Sequence, residues 1–313
     1  MLETAVFKKL AHNDTGLAKG HQGGIVIPKV LAEFFPPLPK VLDPINPTVD
    51  VRLKADLFIN GERLKTVETR YQHQTWGGKR PAERRLTDNL GAIRNAASEN
   101  DILLFKRDIL DDLYIEIHLI TQGTSEYKRL NNQFGVSRWG VVDENNRPVT
   151  LTEIRQAEEF VENESLSPNT PFCSDRQTTE LVSVRKARDR AFRKKVLEQY
   201  DFRCAFTGRK FVSPNSHTTL GLDAAHVVPV ESNGSDHPAN GIPLTKELHW
   251  AFDKGLVGVT TSRKIFVPRS VSSLAGNEFL RDLHDMPIRE AILPNLRVME
   301  EALHWHRTKI LVE

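Results

Sequence analysis

From residue 1 to about residue 150 the chain runs in short apolar stretches separated by turn residues: GGIVIP, VDVRLKADLFI, ERLKTVETRY, DILLFKR and LYIEIHLI. Within them Leu57 and Ile59, Leu64 and Val67, then Tyr114, Ile115, Ile117 and Leu119 are interleaved with polar residues, which predicts half-buried strands. This half reads as mainly β, with short helices near 30–35 and 89–98. At 151–164, LTEIRQAEEFVENE, the pattern turns helical and acidic, and SLSPNTPFCSDRQTT after it has the Ser, Pro, Asn and Thr density of a linker. From 180 to 200, Leu181, Val184, Ala187, Ala191, Val196 and Tyr200 recur at helical spacing among basic residues, predicting a basic amphipathic helix. Short strands (GLVGVTT, KIFVPR) and a last helix over 295–308 complete the chain.

These segments divide 313 residues into a first domain at 1–165, a linker at 166–179 and a second domain at 180–313, an α+β chain whose halves are each long enough for a core. Basic residues number 43 against 41 acidic, so any nucleic-acid contact must rest on local patches. No apolar run reaches the roughly 18 to 20 residues that span a bilayer. The N-terminal MLETAVFKKLAHND lacks the apolar core of a signal peptide, so a cytoplasmic protein with no membrane partner is expected. Cys173 and Cys204 are the only cysteines, which excludes a disulfide framework and an all-cysteine zinc site. Cys204 reads as a buried apolar thiol.

The chemistry concentrates in CAFTGRKFVSPNSHTTLGLDAAHVVPVESNGSDHPANGIPLTKELHWAFDKGL, which carries His226, Asn240, His249 and Asp253 in order. Hydrolysis of a phosphodiester needs a base to activate water and a cation to neutralise charge on the phosphate and leaving oxygen. His226, in the apolar strand LDAAHVVPV, suits the base, because a neutral imidazole near pH 7 accepts a proton. His249 and Asp253 are four apart, so on a helix they share a face and can meet one ion. Asn240 lies in the loop between and can orient that loop or His226 through its amide. Taken singly, His226 could be a satisfied core residue, Asp253 a helix C-terminal partner before Gly255, and Asp223 a surface carboxylate.

This stretch resembles the HNH, or ββα-metal, endonucleases, and within them the restriction-type subgroup with the signature AHIxP, then NG, then LHxxFDxG; the likeness covers about 180–262. It implies a ββα-metal nuclease domain with His226 and Asn240 in the catalytic role and His249 and Asp253 on a divalent metal ion. Where many family members carry a carboxylate or histidine just before the base, this chain has Ala225. The ion then has two protein ligands, or Asp223 supplies a third. Two ligands suit magnesium, which keeps several waters, while a histidine ligand leans toward Mn2+, Ni2+ or Zn2+. The basic run RKARDRAFRKK beside the motif reads either as a solvated face or as a phosphate-tracking surface.

Two clusters stand out before the linker, HNDTGLAKGHQGGIVIPK at 12–29 and RYQHQTWGGKRPAERRLT at 70–87. Lys19, His21 and Gln22 in the first, with Lys79, Arg80, Glu83, Arg84 and Arg85 in the second, offer the side-chain chemistry that reads base edges and binds phosphates. Glu83 could equally hold a neighbouring arginine, and Trp76 reads as a core anchor. With SRWG at 137–140, this half resembles the N-terminal specificity domain of EcoRII-type restriction endonucleases over about residues 5–142. That resemblance implies a DNA-binding pseudobarrel with two arms gripping the duplex, and the eight polar residues just named as its DNA-binding set.

Joined, the halves read as a type II restriction endonuclease acting on double-stranded DNA at a short recognition sequence. One nuclease motif per chain cuts one strand at a time, so a homodimer is expected, and a cognate DNA methyltransferase would complete a restriction system. A modification-dependent nuclease that attacks methylated DNA, and a DNA-binding regulator without activity, are the competing readings.

Overall fold

The computed structural model describes residues 5–17, 23–39, 42, 47–75, 81–108, 111–166, 170–173, 182–212 and 221–312. The chain forms two compact units, Met1–Thr152 and Glu153–Glu313. The division falls inside the helix Leu151–Leu166 rather than at 165.

The first unit is an eight-stranded curled sheet built from β1 (Val6–Lys9), β2 (Ile25–Ile27), β3 (Thr48–Ile59), β4 (Glu62–Gln74), β5 (Glu83–Leu86), β6 (Ile102–Arg107), β7 (Tyr114–Ile120) and β8 (Trp139–Val141). Its order is β2-β5-β4-β3-β7-β6-β1-β8. Every neighbouring pair is antiparallel except β3 with β7. The predicted helix near 89–98 is α1 (Gly91–Ala96), and the one near 30–35 is a 3-10 helix, Lys29–Phe34.

β3 and β4 are long because the two-residue Asn60–Gly61 turn joins them directly, pairing Ile59 with Glu62. Leu53, Ala55 and Leu57 of β3 point to one face and are buried with Tyr71, Phe105, Ile115 and Ile117. Asp56 points to the other face, where Arg63, Thr66 and the Tyr114 hydroxyl satisfy its carboxylate. β6 is buried on both faces: Leu103 and Phe105 join that core, while Ile102 and Leu104 pack with Phe7 under a helix that the apolar pattern did not predict. That helix, α2 (Ser125–Phe134), starts at Thr124, whose hydroxyl accepts from the Tyr127 amide, and stacks Phe134 on Phe7 with ring centroids 3.5 Å apart.

The curl brings β1 close to β2 without a strand ladder between them. The Lys8 ammonium reaches the Val26 carbonyl at 2.5 Å and the Asp14 carboxylate at 2.7 Å, and Asp14 also accepts from the Val26 amide. Both side chains are buried, so the pair ties the edge strand β2 to β1, the strand next to the opposite edge.

The second unit contains most of α3 (Leu151–Leu166), then α4 (Val182–Gln199), β9 (Leu222–His226), β10 (Gly241–Thr245), α5 (Lys246–Asp253), β11 (Gly258–Val259), β12 (Ile265–Phe266), α6 (Arg269–Ser272), α7 (Glu278–Leu283) and α8 (Glu300–Lys309). The acidic helix expected to close the first domain belongs here, because its charges serve α4: Glu158 pairs with Lys194 at 2.8 Å, Glu162 with Lys195 at 2.5 Å, and Phe160 lies under the Arg188 guanidinium. The described part of the expected linker, 170–173, is strapped to the loop at 233–235 through Cys173 N to Asn233 O and Ser235 N to Pro171 O. Cys204 is buried with a free thiol, as expected. No helix among the described residues is long and apolar enough to cross a membrane.

Candidate active site

β9 and β10 are antiparallel with Gly241 opposite His226, and α5 follows β10 without a break. β9 and α5, with α4 facing them, thus line one cavity of about 520 Å³, whose walls include Arg185, Phe192, Asp223, His226, His249 and Asp253. Close approach makes it: a Cβ on Gly241 would stand 2.5 Å from Val196 and 2.7 Å from Phe192, so only glycine lets β10 press against α4.

His226 ends β9. The Phe192 ring stacks on it at 3.9 Å, nearly parallel, and its Nε2 donates to Asp236 Oδ1 at 3.1 Å. The other Asp236 oxygen accepts from Arg188 Nη2 at 2.6 Å, and the Asp236 side chain is fully buried. Since a carboxylate facing an arginine is an acceptor, the proton of neutral His226 sits on Nε2, leaving Nδ1 with its lone pair.

Asn240 is fully buried and staples the segment between β9 and β10. Its Nδ2 donates to Val228 O at 3.0 Å and Ser235 O at 2.9 Å, while Oδ1 accepts from Val228 N at 2.9 Å. The side chain does not touch His226 directly; it fixes the loop that follows His226 and carries Asp236.

On α5, His249 and Asp253 share the predicted face, with Nε2 to Oδ2 at 3.5 Å. Two donors each about 2.1 Å from one ion at a tetrahedral angle stand about 3.4 Å apart, so this pair has the bite of a two-ligand site. Asp223 is differently placed: its carboxylate lies 3.6 Å from His249 Nδ1, the ring nitrogen turned away from Asp253. The imidazole stands between the carboxylates, so Asp223 fits an outer partner that orients His249 rather than a third ligand. Among the described residues no three His, Cys, Asp or Glu side chains converge as a metal cage.

The electrostatics agree with this division. Asp223, beside His249 and Arg193, has its pKa held below the usual carboxylate range. His249 is raised, first by Asp223 and also by Asp253. Burial raises Asp253, so its charge is the one short of compensation, and a cation would supply it. The donor set of one imidazole and one carboxylate, with a carboxylate behind the imidazole, fits a divalent ion. Asp253 does not close its helix; backbone bonds from Gly255 to Phe252 and Leu256 to Ala251 do, with Gly255 at φ 70°.

The basic run on α4 is mostly spoken for. Arg188 is bound to Asp236, Arg193 to Asp223, and Lys194 and Lys195 to the α3 glutamates, while Arg185 lines the cavity. The reading of the whole run as a phosphate-tracking surface is corrected accordingly: much of its charge neutralises the unit's own carboxylates.

In the first unit, Lys19, His21, Gln22, Lys79 and Arg80, with Trp76, lie outside the described residues. Glu83, Arg84 and Arg85 stand on β5, in the sheet rather than in a loop. Glu83 holds Arg85 at 2.7 Å and lies within 3.5 Å of Gln74. Phe192, Arg188, Arg193 and Asp236 were missed as site residues; only the acid in GSDHPANG, close before Asn240, offered a signal.

Residues 204–260 match the HNH endonuclease family, a stretch that contains His226, Asn240, His249 and Asp253. This part of the chain is thus similar to an HNH endonuclease domain, and domains of this kind generally use a divalent metal ion. Among solved structures, a modification-dependent TagI restriction endonuclease is similar at 20% identity with a TM-score of 0.30, over 38% of this chain. The chain spans 37% of that protein's length. No curated protein matches it.

Proposed function

We propose that the chain is a metal-dependent restriction endonuclease that hydrolyses phosphodiesters of duplex DNA in its second unit and reads DNA with its first. The observation that carries this is the convergence of His226, His249 and Asp253 on one cavity within the stretch that matches the HNH endonucleases. In this reading β9, β10 and α5 are a ββα-metal motif, and the curled sheet is the pseudobarrel that the EcoRII resemblance implies. His226 Nδ1 takes a proton from water as the water oxygen bonds to phosphorus. The bond from phosphorus to the leaving oxygen breaks, and that oxygen takes a proton from solvent. His249 and Asp253 would hold a divalent cation, which when bound would supply positive charge to offset the charge that develops at the phosphate and leaving oxygen. Asp223 keeps the His249 ring in register, Asn240 holds the loop after His226, and Arg185 meets a phosphate at the cavity wall. Arg84, with Lys19, His21, Gln22, Lys79 and Arg80, supplies the proposed contacts of the first unit with bases and phosphates. Two chains acting as a homodimer cut both strands.

The test is incubation of the full chain with matched unmethylated and methylated plasmid in Mg2+, Mn2+ or EDTA, resolved on a gel. Discrete fragments from unmethylated DNA, lost in EDTA and in His226→Ala, are the expected result. Fragments from methylated DNA alone would move the function to modification-dependent cleavage, and no cutting with any ion would leave a DNA-binding regulator.

A further inference from the structure

We infer that Asp236 is a positioning residue that sets the tautomer of His226; this rests on His226 being the base. Of its two ring nitrogens, Nε2 faces Asp236 Oδ1 at 3.1 Å, and Asp236 is in turn held by Arg188 at 2.6 Å. The carboxylate is completely withdrawn from solvent. A buried carboxylate with an arginine on one oxygen stays ionised, and an ionised carboxylate can only accept. The His226 proton is therefore fixed on Nε2, and Nδ1 is kept as the acceptor throughout the population of free enzyme. After water has given its proton to Nδ1, the ring is doubly protonated and positive; Asp236 remains ionised and faces that charge. The imidazolium then returns the proton to solvent.

Three features of the fold serve this arrangement. Phe192 stacks on the imidazole and restricts its tilt, so that only rotation within the plane is left for Asp236 to fix. Asn240 binds Ser235 O, the carbonyl next to Asp236, and Val228 on the His226 side, so one amide sets the spacing of both partners. Arg188, stacked over Phe160 of α3, reaches Asp236 from a third element. The order Arg188, Asp236, His226 repeats the logic of a base oriented by a buried acid, with the acid supplied by the loop after the strand.

The inference has a signature that a structural carboxylate lacks. In Asp236→Asn, the amide oxygen is claimed by Arg188, so the NH2 turns to His226 Nε2 and donates. Nε2 becomes an acceptor, the proton moves to Nδ1, and the base is disabled. Asp236→Ala only removes the bias, and a fraction of molecules keeps the active tautomer. The near-isosteric variant is thus expected to be the worse one: a kcat loss of about 10³-fold or more for Asn, in line with the wrong-tautomer effect in other bases oriented by an acid, against about 10- to 100-fold for Ala. KM and duplex binding stay unchanged in both.

The experiment is single-site cleavage kinetics of the full-length protein with each variant, beside duplex binding in EDTA and 15N spectra of the His226 ring. The ring is expected as Nε2–H in the wild type and Nδ1–H in Asp236→Asn. A wild-type kcat in either variant, or Asn more active than Ala, or an unchanged tautomer in Asp236→Asn, overturns the inference. Should Asp236→Ala fail to fold because Arg188 loses its partner, the ring spectrum of Asp236→Asn decides alone. His226→Ala separates the two levels: if it still cuts, the base assignment falls; if it is inactive while the Asp236 variants cut normally, only the positioning role falls.

Discussion

Replacing Asn240 tests the link from hydrogen bonding to catalysis most directly. Its side chain has no exposure and makes three hydrogen bonds, two donated to Val228 O and Ser235 O and one accepted from Val228 N. In Asn240→Ala all three backbone partners stay buried without their mate, and each unsatisfied group costs about 1–3 kcal/mol. The sum, about 3–9 kcal/mol, is a large part of the roughly 5–15 kcal/mol that holds a domain together. Asn240→Asp keeps the acceptor for Val228 N but aims a carboxylate oxygen at two carbonyls, so it should destabilise at least as much as Ala despite equal size. Urea unfolding followed by far-UV circular dichroism gives both values, and plasmid cleavage below the transition reports the loop. Expected are a lower midpoint in the order wild type, Ala, Asp, and cleavage reduced in both variants under conditions where they remain folded, because the loop that carries Asp236 is no longer anchored. An Asn240→Ala cost under 1 kcal/mol, or Asp more stable than Ala at neutral pH, would refute the account of Asn240 as the staple.

Other consequences are equally open to measurement. Burial lowers the His306 pKa to about 4, while its Nε2 donates to Phe252 O at 3.0 Å. The unfolded chain therefore binds this proton first as pH falls below about 6.5, and stability should drop by about 3 kcal/mol between pH 7 and pH 4. His306→Gln, which keeps a donor but cannot titrate there, should lack that component, so a wild-type-minus-variant difference that is flat with pH would contradict it. In Gly241→Ala the new Cβ meets Val196 and Phe192 at 2.5 and 2.7 Å, so a stability loss of about 1–3 kcal/mol is expected. Because Phe192 also stacks on His226, cleavage should fall too, and a fully active variant would show that α4 yields freely. For the ion, calorimetric Mn2+ titration of His249→Ala should show no binding at the site, whereas Asp223→Asn should weaken it about 10- to 100-fold. Equal losses in the two would make Asp223 a direct ligand.

Much of this was written locally. The alternation at Leu57 and Ile59 and over 114–119 depends only on the two-residue period of a strand, and it placed Leu57, Ile115, Ile117 and Leu119 in the core. His249 and Asp253 share a face because four residues make about one helical turn, which no tertiary contact can alter. The buried thiol of Cys204 likewise followed from composition.

What periodicity cannot carry is which distant segment meets which. The parallel pairing of β3 with β7, the helix α2 over β6, and the transfer of the acidic helix α3 to the second unit all rest on contacts between remote residues. At the site, sequence placed Asp223 among the metal ligands because its residue type fits. The fold set it behind His249, on the other nitrogen, since β9 and α5 approach from different sides of the ring. The basic run of α4 carried the same ambiguity: charge is legible in a sequence, but whether an arginine faces solvent or a buried carboxylate depends on what folds against it. Asp236 is the sharpest case. Ten residues from His226 and outside its strand, it reaches the imidazole only because Asn240 bends the intervening chain into place.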